Sequence, residues 1–189
     1  ALFPGDGEDA PTLLKNVSVA LSRVKEQGRN GYQFFTADMN AKALKRLSME
    51  SSMRRALERE EFEVYYQPKV DINSRKITGM EALVRWNHSE SGMILPAEFI
   101  PLAEETGLIM PLGEWVLKTA CAQSKAWNDE GFGLLVSVNL SARQFQQQNL
   151  SEMISGIVSQ TGFSPHCLEL EVTESALMQN PEIAVKTLN

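Results

Sequence analysis

From Glu61 onwards, apolar strand-like runs alternate with amphipathic helical runs, and this alternation restricts the chain to few architectures. "FEVYYQPKV" (62–70), "KITGMEALVRW" (76–86), "LLVSVNL" (134–140) and "CLELEVTE" (167–174) read as strands. "PAEFIPLAEETG" and "PLGEWVLKTACAQSKAWNDEG" read as helices closed by Gly107 and Gly131, a third helix covers about 149–160, and "NPEIAVKTLN" reads as a fourth. Repeated β-then-α units imply parallel strands with right-handed crossovers, so the fold expected is α/β, either a barrel or an open doubly wound sheet.

The region before Glu60 has a different pattern. Asp9 is placed to cap a helix that carries Leu13, Val17, Ala20, Leu21 and Val24 at helical spacing and stops at Gly28. That apolar face needs a partner surface outside these residues. "GYQFF" reads as a short strand. From Thr36 to Glu60 there is no Gly or Pro, and Met39, Ala43, Leu47 and Leu57 keep roughly helical phase. This reads as a connector helix, either a plain surface helix or a lever transmitting motion from an upstream domain to the α/β region. The opening "ALFPGDGEDAP" has no initiator Met and suggests a start inside a domain.

Composition excludes several function classes. A net charge of -6 argues against polymeric nucleic acid as a partner, because binding a phosphate backbone needs a dense basic face. No apolar run is long enough to span a bilayer, and no secretory signal opens the chain. The expected setting is therefore the cytoplasm, with any membrane tether lying in other segments. Cys121 and Cys167 lack CxxC spacing and read as reduced thiols. His88 and His166 are the only histidines, which leaves little for Ser/His or Cys/His hydrolysis, and His166 reads as a turn residue.

What distinguishes the strands is the polar residues inside them. In "TGMEALVRWNH" (78–88) a period of two puts Gly79, Glu81, Leu83 and Arg85 on one face and Met80, Ala82, Val84 and Trp86 on the other. A carboxylate and a guanidinium inside an apolar strand need compensation by a metal, an opposite charge or an anionic ligand. An internal Glu81–Arg85 ion pair is the structural alternative. Gln67, Asn139, and Glu171 with Thr173 are similar intrusions on other strands. In an α/β barrel such residues converge at the carboxyl ends of the strands, where Glu81, Asn139 and Glu171 would offer three oxygen ligands. Oxygen donors without Cys or His suit Mg2+ or Mn2+, and Arg85 could then hold an anionic phosphate group.

These segments resemble the EAL domains, the cyclic di-GMP phosphodiesterases of bacterial signalling proteins. "EALVRW" (81–86) matches the family's signature, and "YYQPKVD", "PAEFIPLAEETGLI", "VNLSARQF" and "ELEVTES" resemble its successive segments in order. The resemblance implies a modified β/α (TIM-like) barrel, here its N-terminal part over 61–189, that hydrolyses cyclic di-GMP to linear pGpG with Mg2+ or Mn2+. It implies Glu81, Asn139 and Glu171 as metal ligands and Glu81 and Glu174 as catalytic residues, with Glu174 also linking a homodimer interface to the site. Gln67, Leu83 and Arg85 would face the substrate. Residues 1–35 resemble the C-terminal tail of an α+β GGDEF diguanylate cyclase domain, which implies upstream GGDEF and sensory domains and makes 36–60 the connector.

The family's aspartate-rich loop and its general-base lysine do not occur in these residues, so the 189-residue stretch by itself is expected to be catalytically silent. The competing functional reading is a receptor or relay that binds cyclic di-GMP without turnover. A purely structural half-barrel is the third. An intact Glu81, Asn139 and Glu171 set favours the enzyme.

Overall fold

The computed structural model describes residues 1–26, 28–173 and 178. It divides into two compact units, Ala1–Ser52 and Met53–Asn189.

In the first unit, helix α1 runs Ala10–Glu26. Asp9 starts it, with Oδ1 accepting from the Thr12 backbone N at 2.7 Å and Oδ2 from the Thr12 hydroxyl at 3.0 Å, so one of the helix's unpaired first-turn amides is satisfied. The buried line on α1 is Asn16 and Ala20, while Val17 and Leu21 remain 43% and 52% exposed. Asn16 is held by polar contacts: its Nδ2 donates to the Asp6 carbonyl at 2.7 Å, and its Oδ1 accepts from Asn40 Nδ2 at 3.2 Å. Asn40 lies in the first turns of α2, which spans Ala37–Glu58. The strand expected at "GYQFF" is not present, and 32–36 form no ladder. Among the described residues this unit has no other strand, and a strand exists only through hydrogen bonds to a neighbour.

The division between the units falls inside α2, whose last turns bring buried Met53 and Ala56 into the second unit. Glu60 at φ 57 turns the chain out of the helix, and Glu61 N donates to the Ala56 carbonyl at 3.1 Å.

The second unit is built on one sheet. Its strands are β1 (Phe62–Val70), β2 (Ile77–His88), β3 (Gly92–Ile94), β4 (Leu135–Leu140) and β5 (Leu168–Val172), in the order β1-β2-β4-β5 with β3 also on β2. β2, β4 and β5 are parallel, as the β-then-α pattern implies. β1 is antiparallel to β2, which corrects the expectation of parallel strands throughout. The reason is the length of the connection. A parallel crossover needs about a dozen residues or more, whereas 71–76 form a tight turn. In it Asp71 Oδ1 accepts from Ser74 N at 2.7 Å, Asp71 N donates to the Lys76 carbonyl at 3.0 Å, and Arg75 adopts φ 55.

Helices α3 (Pro96–Thr106) and α4 (Ile109–Asp129) connect β2 to β4, and α5 (Ala142–Phe145) and α6 (Leu150–Thr161) connect β4 to β5. Their apolar faces cover one side of the sheet. Trp86 and Phe99 are fully buried, their rings meeting edge to face at 5.7 Å, and Phe62 packs against both. α3 ends at Gly107 in the left-handed region (φ 82), where Arg143 donates to the backbone carbonyls of Glu104 and, at 3.2 Å, Glu105. Asn128 near the end of α4 acts as a pseudo-strand, donating to the Leu134 carbonyl at 3.1 Å and accepting from Leu134 N at 2.7 Å, and so fixes the entry to β4. His166 lies in a 3-10 turn, Pro165–Cys167, as expected.

Gly113 on α4 is needed by this packing. A Cβ there would lie 1.9 Å from Gln144 Nε2, and Gln144 is buried and locked in a capping box with Ser141. Glycine in a helix ordinarily costs about 1 kcal/mol relative to alanine, yet overpacking costs roughly 1–3 kcal/mol. Gly113→Ala should therefore lower the unfolding midpoint in urea and Gln144→Ala should rescue part of the loss; a stabilised Gly113→Ala would mean that Gln144 does not pack there.

Burial also sets the reactivity of Cys121, whose thiol is pushed up from 9.0 to about 11. Tyr66, against Trp127 at 4.8 Å, is raised from 10.0 to about 12 by burial and then by the nearby Cys121. The thiolate is the form that alkylates, so a raised value depletes it at neutral pH. Iodoacetamide at pH 8 should label the half-buried Cys167 and spare Cys121, with Cys121 labelling rising only as pH approaches its raised value. Equal labelling of both at pH 8, read by peptide mass spectrometry, would contradict the packing.

Candidate active site

Strand register decides which side chains share the face opposite the helices. Directly paired residues point the same way. Gln67 is opposite Glu81, Glu81 is beside Ser137, and Ser137 is beside Glu169. One step along, Asn139 is beside Glu171, and at the other end of β2 Glu63 and Tyr65 are opposite Arg85 and Leu83. The alternation of "TGMEALVRWNH" is thus extended across four strands: apolar residues face the helices, and polar ones collect on the other side.

Glu81 and Asn139 meet there. Asn139 Nδ2 donates to Glu81 Oε1 at 2.7 Å. The rest of "NLSARQF" positions Asn139: Leu140 is buried with Phe145 and Leu150, and Ser141 caps α5, its Oγ accepting from Gln144 N at 3.2 Å while its N donates to Gln144 Oε1 at 3.2 Å. A strand that must end in a capping box one residue after a core leucine has a fixed backbone at the penultimate position from which Asn139 projects.

The Glu81–Arg85 ion pair considered from sequence does not form. Arg85 Nη1 donates to the Val84 carbonyl at 2.8 Å, and its guanidinium lies 5.6 Å from the centroid of the half-exposed Tyr65 ring. Gln67 is exposed across from Glu81, and Leu83 is partly buried between Glu81 and Arg85 on the same face. Glu174 lies outside the described residues.

One residue of the site was not singled out from sequence. Lys69 projects from β1 onto the polar face opposite Gly79 and reaches across β2 to β4 and β5. Its Nζ donates to Glu171 Oε1 at 2.6 Å, to Glu169 Oε2 at 3.1 Å and to Ser137 Oγ. Fully buried Ser137 donates in turn to Glu169 Oε2 at 2.6 Å. The bond to Glu171, followed by the bond to Glu169 and the charge of both carboxylates, raises Lys69 above its ordinary value against partial desolvation. Ser137 first, and Lys69 second, lower the Glu169 carboxyl. The signal in the sequence was parity: Lys69 shares a face with Gln67.

Residues 50–189 match the EAL domain family. The chain belongs to it. Over 189 residues it is 43% identical to the "Bifunctional diguanylate cyclase/cyclic di-GMP phosphodiesterase MucR" of Pseudomonas aeruginosa, covering 100% of this chain and 28% of that protein. It is 36% identical over 188 residues to the "Cyclic di-GMP phosphodiesterase PdeR" of Escherichia coli, again covering 28% of the relative. The chain thus spans about a quarter of the length of these relatives. Among solved structures, "PaMucR Phosphodiesterase, c-di-GMP complex" is similar with a TM-score of 0.72 and 41% identity, over 75% of this chain and 57% of that one. An EAL enzyme, Bd1971, in its "cAMP and cyclic-di-GMP bound form" is similar with a TM-score of 0.71 and 28% identity, over 95% of this chain and 47% of that one. The fold is α/β, a sheet with parallel strands β2, β4 and β5 forming part of the TIM-like EAL barrel.

Gly79 on β2 is paired with Leu135 on β4 and leaves no room for a side chain. A Cβ there would sit 2.9 Å from the Leu135 carbonyl oxygen, which cannot withdraw without disturbing the β2–β4 ladder. Alanine in a strand ordinarily gains about 0.5–1 kcal/mol over glycine. At this position the clash should win, and Gly79→Ala should lose roughly 1–3 kcal/mol. A raised melting temperature in Gly79→Ala would refute the register described.

Proposed function

We propose that this chain carries the first part of the active site of a cyclic di-GMP phosphodiesterase that hydrolyses the messenger to linear pGpG with Mg2+ or Mn2+. The observation that carries the reading is the meeting of Glu81 and Asn139 at 2.7 Å on a polar sheet face, with Glu171 in register beside Asn139. The names of the relatives in Pseudomonas aeruginosa and Escherichia coli support the substrate class.

Among the described residues no three His, Cys, Asp or Glu side chains cluster closely enough to hold an ion by themselves. The donor set offered instead is two carboxylates and an amide, Glu81, Glu171 and Asn139. These all-oxygen donors, without thiolate or imidazole, fit a hard divalent cation. Such a cation supplies Lewis-acid stabilisation of charge at the phosphodiester and lowers the pKa of water. The chain's residues do the rest. Arg85, tethered through one nitrogen to its own strand, has further donors to clamp a non-bridging phosphate oxygen and is held over Tyr65 so that little ordering remains on binding. Gln67 can orient the substrate opposite Glu81, and Leu83 gives the ligand an apolar wall between Glu81 and Arg85. Glu174 is assigned, with Glu81, to the catalytic set on motif alone.

Alignment of the whole chain with a bifunctional relative supports reading 1–35 as the tail of a GGDEF domain and 36–60 as the connector to the EAL part. A homodimer and upstream sensory domains belong to the same proposal. No helix among the described residues is long and apolar enough to cross a membrane, and a cytoplasmic site of action is proposed on cysteine usage and substrate class.

In the full-length protein Glu81→Gln should reduce kcat by about two orders of magnitude or more, whereas Arg85→Ala should act chiefly on KM. Linear dinucleotide formation, followed by chromatography with Mg2+, Mn2+ or chelator, measures both. Wild-type kcat in Glu81→Gln would move the site elsewhere. Tight binding of cyclic di-GMP with no turnover in any metal would make the protein a receptor instead.

A further inference from the structure

The three N–H groups of the Lys69 ammonium have three acceptors, one each from Ser137, Glu169 and Glu171. An ammonium satisfied in this way is fixed in position, whereas a surface lysine turns freely. The acceptors come from two strands that Lys69 reaches across β2, and Ser137, the central one, is fully buried. The charges on this face are also informative. Glu63, Glu81, Glu169 and Glu171 carry four negative charges and Arg85 and Lys69 two positive ones, leaving a net of two negative charges, which one divalent cation neutralises.

Glu169 and Glu171 are two residues apart on one face of β5, so without a cation between them they repel and spread apart. Lys69 takes Oε1 of Glu171 and not Oε2. A carboxylate held by one oxygen on a saturated ammonium keeps the second oxygen for another partner and loses most of its rotational freedom.

We propose that Lys69 is a positioning residue for the cation site: it anchors Glu171 through Oε1, neutralises the neighbouring Glu169, and presents Glu171 as a ligand beside Asn139. This rests on the reading of Glu81, Asn139 and Glu171 as the ligand set. Outer partners that orient a ligating carboxylate typically affect metal affinity by about 10–100-fold when removed.

The test is a Mn2+ titration of the full-length protein, with free Mn2+ read by electron paramagnetic resonance and folding checked by circular dichroism. Glu171→Gln should abolish or strongly weaken one Mn2+ site; if it leaves Mn2+ binding unchanged, the ligand assignment itself fails. Where Glu171→Gln does weaken that site, Lys69→Met should raise its Kd by about tenfold or more with an unchanged far-ultraviolet spectrum. A Lys69→Met protein that binds Mn2+ as tightly as wild type, or more tightly, would overturn the inference, because Lys69 would then be a strut of the sheet or a competitor of the ion. If Lys69→Met does not fold, Lys69→Arg replaces it. Arginine keeps the charge but substitutes a planar fork for the three-armed ammonium, so the site should weaken several-fold, and wild-type affinity there would also overturn the inference.

Discussion

Carboxylates gathered on one face of a sheet repel one another, and a fold that needs them there must supply a compensating charge. Glu81, Glu169 and Glu171 are so placed by register. The compensation comes from Lys69 on β1, with Ser137 and Asn139 as neutral partners between them. The exposure of these side chains, 37% for Lys69 and 40–46% for its two glutamates, keeps each pair a modest contribution to stability. Their importance is geometric. The antiparallel turn at 71–76 sends β1 back along β2, and only that direction puts Lys69 across from Gly79 rather than at the far end of the sheet.

The helix-side face secures this arrangement. Trp86 and Phe99 are fully buried and fix β2 against α3, and Arg143 ties the end of α3 to α5. α5 begins with the capping box of Ser141 and Gln144, two residues after Asn139. The short run "NLSARQF" therefore contains a candidate ligand, core residues, a helix cap and a tie to α3. Precision at the site is inherited from ordinary packing and capping on the opposite face.

Much of this was legible in the sequence, for identifiable reasons. The strand-like run "FEVYYQPKV" placed β1 at 62–70, and period-two alternation assigned the faces of β2 correctly, because a strand with one apolar and one polar face has a single acceptable orientation. Gly107 and Gly131 marked helix ends because both adopt positive φ there, 82 and 90. The direction of β1 was misjudged by weighing the repeated pattern above the shortness of 71–76. "GYQFF" has the composition of a strand but no strand to pair with among the described residues of its unit. Lys69 escaped notice because a lysine near a strand end usually lies in solvent, and its partners are separated from it by 68 to 102 positions. Asn16 in α1 was hidden in the same way, being a polar residue buried through contacts to Asp6 and Asn40.

The central claim is that the polar face of this sheet is a cation-dependent phosphodiester site formed by Glu81, Asn139 and Glu171. Anomalous scattering from crystals of the full-length protein grown with Mn2+ and cyclic di-GMP tests it most directly. The account predicts a Mn2+ peak within coordination distance of oxygens from all three side chains, about 2.0–2.6 Å, with Arg85 on a phosphate of the ligand. A Mn2+ peak bound by other residues, with Glu81 still paired only to Asn139, would contradict it.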